Sequence, residues 1–214
     1  MKNNILYKQW KNKLPKKKIV VIKNNYIGSI KRKTKILASL HDLLIKIKKK
    51  IVIKRFLLIR NPSVVIVPII ICKNKYYTIL TKQFRIIDGK SKLEFPAGSI
   101  ESKQTPKQAA LDEVREELGL NLKKNQIKTL YNKYIEIETS CTSSRSYYFY
   151  FVLKKNKKFL LNLNGKICGN KEKGEHIELN VKKFSKIDIY NNTTIMIGKY
   201  LALKKLKLSA TGNF

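Results

Sequence analysis

The sequence predicts an α/β sandwich preceded by a small N-terminal β subdomain. Three observations carry this. Residues 105–119 have the start, stripe and stop of a capped amphipathic helix. Runs rich in β-branched and aromatic residues stand on both sides of it, at 63–72, 76–84, 147–153 and 176–184. A last amphipathic run, 193–208, reads as a second helix. Strands around one helix, with another helix at the end, bury their apolar faces by stacking in layers.

The elements follow in order. Residues 1–60 are rich in lysine and hold one acid, Asp42. The stretches 18–22 and 43–59 are dominated by β-branched residues and read as strands around turns, so 1–60 forms the β subdomain and 61–214 the main domain. Residues 63–72 read as a buried strand in which Pro68 marks an edge or a bulge. A turn at Asn74-Lys75 returns the chain as 76–84. After a loop at Asp88 and Gly89, Leu93-Glu94-Phe95 leads into Pro96-Ala97-Gly98. In the helix, Thr105 is the N-cap, Pro106 the first residue, and Gln108 completes a capping box. Ala109, Ala110, Val114 and Leu118 form the apolar stripe, and Gly119 ends it. Strands at 127–138 and 147–153 follow, then a lysine-rich loop from 154 to 175.

Composition narrows the class. The 214 residues carry a formal net charge of +33. Such a balance suits a polyanionic partner. Nearly all of it is lysine, however, and lysine, asparagine and isoleucine are abundant together, as coding biased toward A and T produces. Arginine, whose planar fork suits phosphate, occurs only at 32, 55, 60, 85, 115 and 145. The longest apolar run, 64–72, is broken by Pro68 and is far short of the ~20 residues of a membrane span. The first residues carry no apolar core of a secretory signal, and they are not Ser- and Arg-rich like a transit peptide. Cys72, Cys141 and Cys168 are odd in number and form no CxxC pair, which points to reduced thiols and no zinc site.

Six of the fourteen acids fall between Glu94 and Glu117. On a helix, Glu113 and Glu117 share a face, and Glu116 lies three positions after Glu113. Like charges at this spacing repel by a few tenths of a kcal/mol per pair. Solvent relieves that repulsion, and so does a divalent cation. Oxygen-only ligands without cysteine or histidine suit Mg²⁺ or Mn²⁺.

The order strand, Gly-containing loop, acidic helix resembles the Nudix hydrolase signature, G-x5-E-x7-R-E-U-x-E-E-x-G-U with U aliphatic. Here it runs from Gly98 through Gln104 to Asp112-Glu113-Val114-Arg115-Glu116-Glu117-Leu118-Gly119-Leu120. Lys82-Gln83-Phe84-Arg85, followed by Leu93 to Gly98, resembles the ADP-ribose and ADP-sugar pyrophosphatase branch, and residues 6–14 and 165–181 resemble its plant plastid type. The resemblance implies a Nudix-type α/β/α sandwich with a mixed sheet. It also implies Mg²⁺-dependent (or Mn²⁺-dependent) hydrolysis of an ADP-sugar, ADP-ribose or ADP-glucose, to AMP and a sugar phosphate. By the same resemblance Glu113, Glu116 and Glu117 bind metal together with the Ala97 carbonyl. Glu175, or else Glu172, adds a later carboxylate to these catalytic glutamates. Arg60 and Arg85 hold phosphate, Gly98 lines the site, Trp10 offers a face to adenine, and the chain is a homodimer in the cytoplasm or a plastid. Acids for Arg85 to pair with are scarce in the sequence, which favours phosphate for it; Arg145 is a candidate for phosphate or for a surface contact.

Two positions depart from the signature. Gln104 stands where the family has Glu, and Asp112 where it has Arg. Changing both members of a charged pair together is milder than changing one and stranding the other. Gln104 can donate to Asp112, and Arg115 lies within reach of it, so the three are expected to form a repaired support with reduced activity. The alternative reading is a catalytically impaired Nudix-fold module that binds RNA or another polyanion through its lysines.

Overall fold

The computed structural model describes residues 5–15, 18–32, 35–48, 51–170, 175–190 and 192–207. The chain divides into two units, Met1–Pro62 with Ile135–Ser146, and Ser63–Tyr134 with Tyr147–Phe214.

The first unit opens with helix α1 (Ile5–Lys13), followed by β1 (Ile19–Arg32), β2 (Lys35–Ile47) and β3 (Ile51–Arg60). These strands form an antiparallel meander in the order β1-β2-β3. The β2–β3 register runs unbroken from Ala38 opposite Arg60 to Ile47 opposite Ile51. The β1–β2 register shifts three times. Helix α1 goes beyond the all-β expectation. Its only buried residue is Leu6, so its apolar signal is weak among the lysines. Tyr7 of α1 stacks on His41 of β2 at 4.9 Å. His41 is itself buried, with Nδ1 2.8 Å from Asn24 Oδ1 and Nε2 2.9 Å from Ser39 Oγ. Burial lowers its pKa, which favours the neutral ring.

The second unit holds β4 (Ser63–Cys72), β5 (Lys75–Arg85), β6 (Lys90–Glu94), β7 (Ala97–Ser99), helix α2 (Pro106–Leu118) and β8 (Lys128–Thr129). The two-residue strand β9 (Ile135–Glu136) lies in the first unit and pairs with Arg145 and Ser146, the first residues of β10 (Arg145–Lys154). Helix α3 (Lys157–Leu163), β11 (Ile167–Cys168), β12 (Ile177–Lys183) and α4 (Thr193–Leu206) complete the second unit. Its sheet runs β11-β12-β5-β4-β10-β8, with β6 beside β5 and β7 beside β4. Val64, Ile66 and Ile70 of β4 pack with Ala109, Ala110, Val114 and Leu118 of α2 and with Leu160 and Leu163 of α3. Alternate residues of a strand point to opposite faces. Val67 accordingly meets Gly198 of α4 on the other side. The sheet is therefore covered by helices on both faces, as an α/β/α sandwich requires.

Three details differ from the sequence reading. Pro68 lies not on an edge but in β4, inside the sheet. Residues 63–65 pair with β7 and 70–72 with β5. Pro68 falls in the gap between these partners, where its missing N–H costs nothing, and Thr78 Oγ1 donates to its carbonyl at 2.7 Å. The strand expected at 127–138 shrinks to β8 and β9, because Asn132 and Lys133 have nothing apolar to bury and the chain bends there. The lysine-rich loop contains α3, capped by Asn156 Oδ1, which accepts from the Phe159 N–H at 2.9 Å. Arg145 is an ion-pair partner of Glu136, with Nε donating at 3.2 Å.

Tyr148 is fully buried, and its hydroxyl has no hydrogen-bond partner among the described residues. Burial holds its pKa well above the usual phenol range. Tyr148→Phe removes an unsatisfied polar group and keeps the ring. It is expected to stabilise the protein by about 1 kcal/mol, a rise in Tm of roughly 2–4 °C in a thermal melt.

Candidate active site

Helix α2 is placed by its two ends. Thr105 is extended (φ −78°, ψ 152°) and its side chain accepts from the Gln108 N–H at 3.2 Å. Pro106 begins the helix, and Gly119 ends it in the left-handed region at φ 64°. The second arm of a capping box is absent: the Gln108 side chain turns to Asp112 instead. The apolar stripe sinks into the sheet and carries Glu117, only 4% exposed, down with it.

A buried carboxylate needs donors. Glu117 Oε2 accepts from the Ala97 backbone N–H at 3.0 Å, and Oε1 accepts from Gln83 Nε2 at 3.1 Å. Burial first, then the charges of Glu113 and Glu175, push the Glu117 carboxyl up to about 8, against the pull of its two donors. Glu113 lies one turn earlier on α2. A Cβ on Gly98 would fall on the Glu113 carboxylate, so the glycine of Pro96-Ala97-Gly98 makes room for that acid. The structure shows the Ala97 N–H at work, where the sequence reading used its carbonyl.

Strand β5 supplies the facing wall. Gln83 and Arg85 are two residues apart and share one face. The Arg85 guanidinium is not short of an acid: Nε and Nη2 donate to the two carboxylate oxygens of Glu94 at 2.8 and 2.6 Å. This pair raises the Arg85 pKa, and the charges of Glu117 and Glu175 add to it. Glu94 thus takes two of the five guanidinium N–H groups.

The third wall is the segment after β11. Gly169 sits at φ 109°, where a Cβ would lie 2.8 Å from the Glu175 carbonyl oxygen. Its N–H donates to the Glu116 carbonyl at 3.3 Å, fastening the segment to the C-terminal turn of α2. Asn170 N–H donates to Glu175 Oε2 at 3.4 Å, and Glu175 N–H to the Asn170 carbonyl at 3.1 Å. Glu175 is thereby close enough to act on the charge of both Glu117 and Arg85. Glu172, the other sequence candidate, lies outside the described residues.

The altered signature positions meet. Gln104 Nε2 donates to Asp112 Oδ2 at 2.8 Å, while Gln108 Nε2 and Arg115 Nη2 donate to Oδ1 at 3.2 and 3.1 Å. The Gln104 side-chain Oε1 accepts from the Glu101 N–H at 3.0 Å, so the loop and the helix are tied together.

Ala97, Gly98, Glu113, Glu116, Glu117, Arg85, Glu175, Gln104, Asp112 and Arg115 all belong to the second unit; Arg60 and Trp10 belong to the first. Trp10 is half-buried, 5.8 Å from the Tyr7 ring. Arg60 ends β3, and its N–H donates to Ser143 Oγ at 3.1 Å. Among the described residues, no three Asp, Glu, His or Cys side chains are already gathered into a metal cage. The donors nonetheless fit a hard cation in kind. They are carboxylates that repel one another around a buried Glu117, which is the situation a divalent ion relieves. Sequence reading missed Gln83, Glu94, Gln108 and Gly169. Gln83 was findable, since it stands two residues before Arg85 in a strand; Gly169 gave no sign without its neighbours.

Residues 60–188, more than half of the chain, match the family model of the NUDIX domain. The chain belongs to the Nudix family. It is 30% identical over 130 residues to Nudix hydrolase 14, chloroplastic, of Arabidopsis thaliana, covering 56% of this chain and 41% of that protein. It is 49% identical over 47 residues to putative nudix hydrolase 2 of Caenorhabditis elegans, covering 22% of this chain and 21% of that one. The chain thus spans less than half the length of either relative. Its fold matches the crystal structure of an ADP compounds hydrolase with a TM-score of 0.64 at 15% identity, over 89% of this chain and 95% of the other.

The raised pKa of Glu117 has a consequence for stability. Its proton is held more tightly in the folded chain than in the unfolded one. The proton's contribution is therefore fully present below about pH 4.5 and is lost as pH rises to about 8. Without metal, Glu117→Gln is expected to match the wild type at pH 4 and to exceed it at pH 8 by roughly 4 kcal/mol, read by denaturant titration at both pH values.

Proposed function

We propose that this Nudix protein hydrolyses the pyrophosphate bond of an ADP-sugar, ADP-ribose or ADP-glucose, to AMP and a sugar phosphate. The observation that carries the reading is the buried Glu117 carboxylate, set beside Glu113 and Glu175 and bonded to the Ala97 N–H at 3.0 Å. A protein built only to bind polyanions has no use for acids that repel its ligand and one another.

The substrate's phosphates repel an incoming water, so cations must offset their charge. Glu113, Glu116 and Glu117, with Ala97 beside them, would hold Mg²⁺ or Mn²⁺, and the ion would supply electrostatic stabilisation of the developing phosphate charge. Arg85, oriented by Glu94, presents its remaining N–H groups to a phosphate oxygen. Glu175 is held by the Asn170 backbone and can take a proton from the attacking water. The branch resemblance supports Arg60 on phosphate, Trp10 against adenine, and a homodimer. The name of the Arabidopsis relative supports a plastid location. No helix among the described residues is long and apolar enough to cross a membrane.

The test is incubation with ADP-ribose, ADP-glucose, UDP-glucose and capped RNA, with Mg²⁺ and with EDTA. AMP release from an ADP-sugar that stops on chelation and is abolished by Glu117→Gln is the expected result. No turnover on any substrate, together with salt-sensitive RNA binding, would replace this reading with that of a polyanion-binding module. Gln104, Asp112 and Arg115 act here as a support with reduced rather than lost activity. The double variant Gln104→Glu, Asp112→Arg is accordingly expected to raise kcat several-fold in the same assay. An unchanged or lower kcat counts against that role.

A further inference from the structure

A carboxylate that is both buried and needed in one orientation depends on whatever holds its oxygens. The Glu117 carboxylate accepts from two donors among the described residues. The Ala97 N–H is main chain and is fixed by β7, whose Ala97 pairs with Val65. The other, Gln83 Nε2, is a side chain on the facing strand. We infer that Gln83 is a positioning residue for the Nudix site: its amide fixes the rotation of the Glu117 carboxylate and so sets how well the acid cluster binds a divalent cation.

The geometry around Gln83 supports this. It lies opposite Lys92 in the β5–β6 ladder, so its backbone is held on that side by β6. Its side chain shares a face with Arg85, which reaches Glu94 with a bidentate fork. One strand therefore braces the buried glutamate with one residue and presents a guanidinium with the residue two places on. The choice of an amide also fits. A lysine at 83 would place an ammonium against Glu117 and compete with a cation for it, whereas an amide donates one hydrogen bond and adds no charge. Groups that hydrogen-bond a metal-binding side chain from behind change metal affinity or activity by about 10- to 100-fold when removed.

This inference rests on the proposed metal-dependent reading, and its test separates the two. Gln83→Met keeps the length of the side chain and removes the donor; Gln83→Asn withdraws the donor by one methylene and serves if the first variant does not fold. Free Mn²⁺ is counted by electron paramagnetic resonance in titrations of wild type and variant, and kcat and KM are measured on ADP-ribose. The expected result is Mn²⁺ affinity weakened about 10-fold and kcat lowered by a similar factor, with KM within twofold of wild type. A folded variant with Mn²⁺ affinity and kcat both within twofold of wild type overturns the role of Gln83. If the wild type binds Mn²⁺ but hydrolyses nothing, the hydrolase reading fails and the Mn²⁺ comparison alone still decides for or against Gln83. If the wild type binds no Mn²⁺, both readings fall.

Discussion

Glu117 is a carboxylate taken almost wholly out of water, and the arrangement around it follows from the need to make that tolerable. Burying an ionised acid without partners costs several kcal/mol, and the usual escape is to take up a proton. Here the chain takes part of that escape, with the carboxyl raised to about 8, and part of another, with an amide N–H on each oxygen. Each donor fixes a piece of structure. The Ala97 N–H requires β7 to lie against α2. The Gln83 amide requires β5 to present its odd-numbered face to the same helix. Gly98 must lack a side chain because Glu113 occupies the space beside it.

The second constraint is mechanical. The loop between β7 and α2 has to keep its shape, and the family's signature uses a Glu–Arg pair for this. In this chain the polarity is inverted: the loop residue donates and the helix residue accepts. Asp112 receives three donors, from Gln104, Gln108 and Arg115. A carboxylate with three donors is well satisfied, so the inverted pair is no weaker in count than an ion pair. It differs in where the charge sits. The negative group now rides on α2 beside Glu113, and Arg115, 60% exposed, offsets it only partly. This adds negative charge at the helix that already carries the acids.

How much of this was legible in the sequence depends on the range of the interaction. Helix α2 was readable to the residue because caps, stripe and stop are all local. The Gln104–Asp112–Arg115 contacts were readable because loop and helix are neighbours in the chain. Pro68 misled, because edge and interior are properties of the sheet and not of the strand. Helix α3 was hidden by the lysines around it, although Asn156 followed by Phe159, Leu160 and Leu163 was the local signal. Arg85 was given to phosphate because acids are scarce in the chain, yet Glu94, nine residues on, folds back across a hairpin to meet it. Gly169 was unreadable: its need for a missing Cβ arises from Glu175, whose place is set only when the segment docks on α2.

The charge of the chain sharpens the point about Glu117. With 47 basic residues for 14 acids, an acid chosen at random should find a cation. Asp42, Asp88, Glu94, Asp112, Glu136 and Glu178 do so, pairing with Lys54, Lys92, Arg85, Arg115, Arg145 and Lys82. Glu117 is bonded instead to two neutral amides and faces two other acids. For all the lysine in the chain, no ammonium is bonded to this carboxylate among the described residues. A lysine there would lower the Glu117 pKa and stabilise the folded chain, so stability alone does not favour the amide. Gln83 at that position makes physical sense if the charge of Glu117 is kept for a cation that comes and goes.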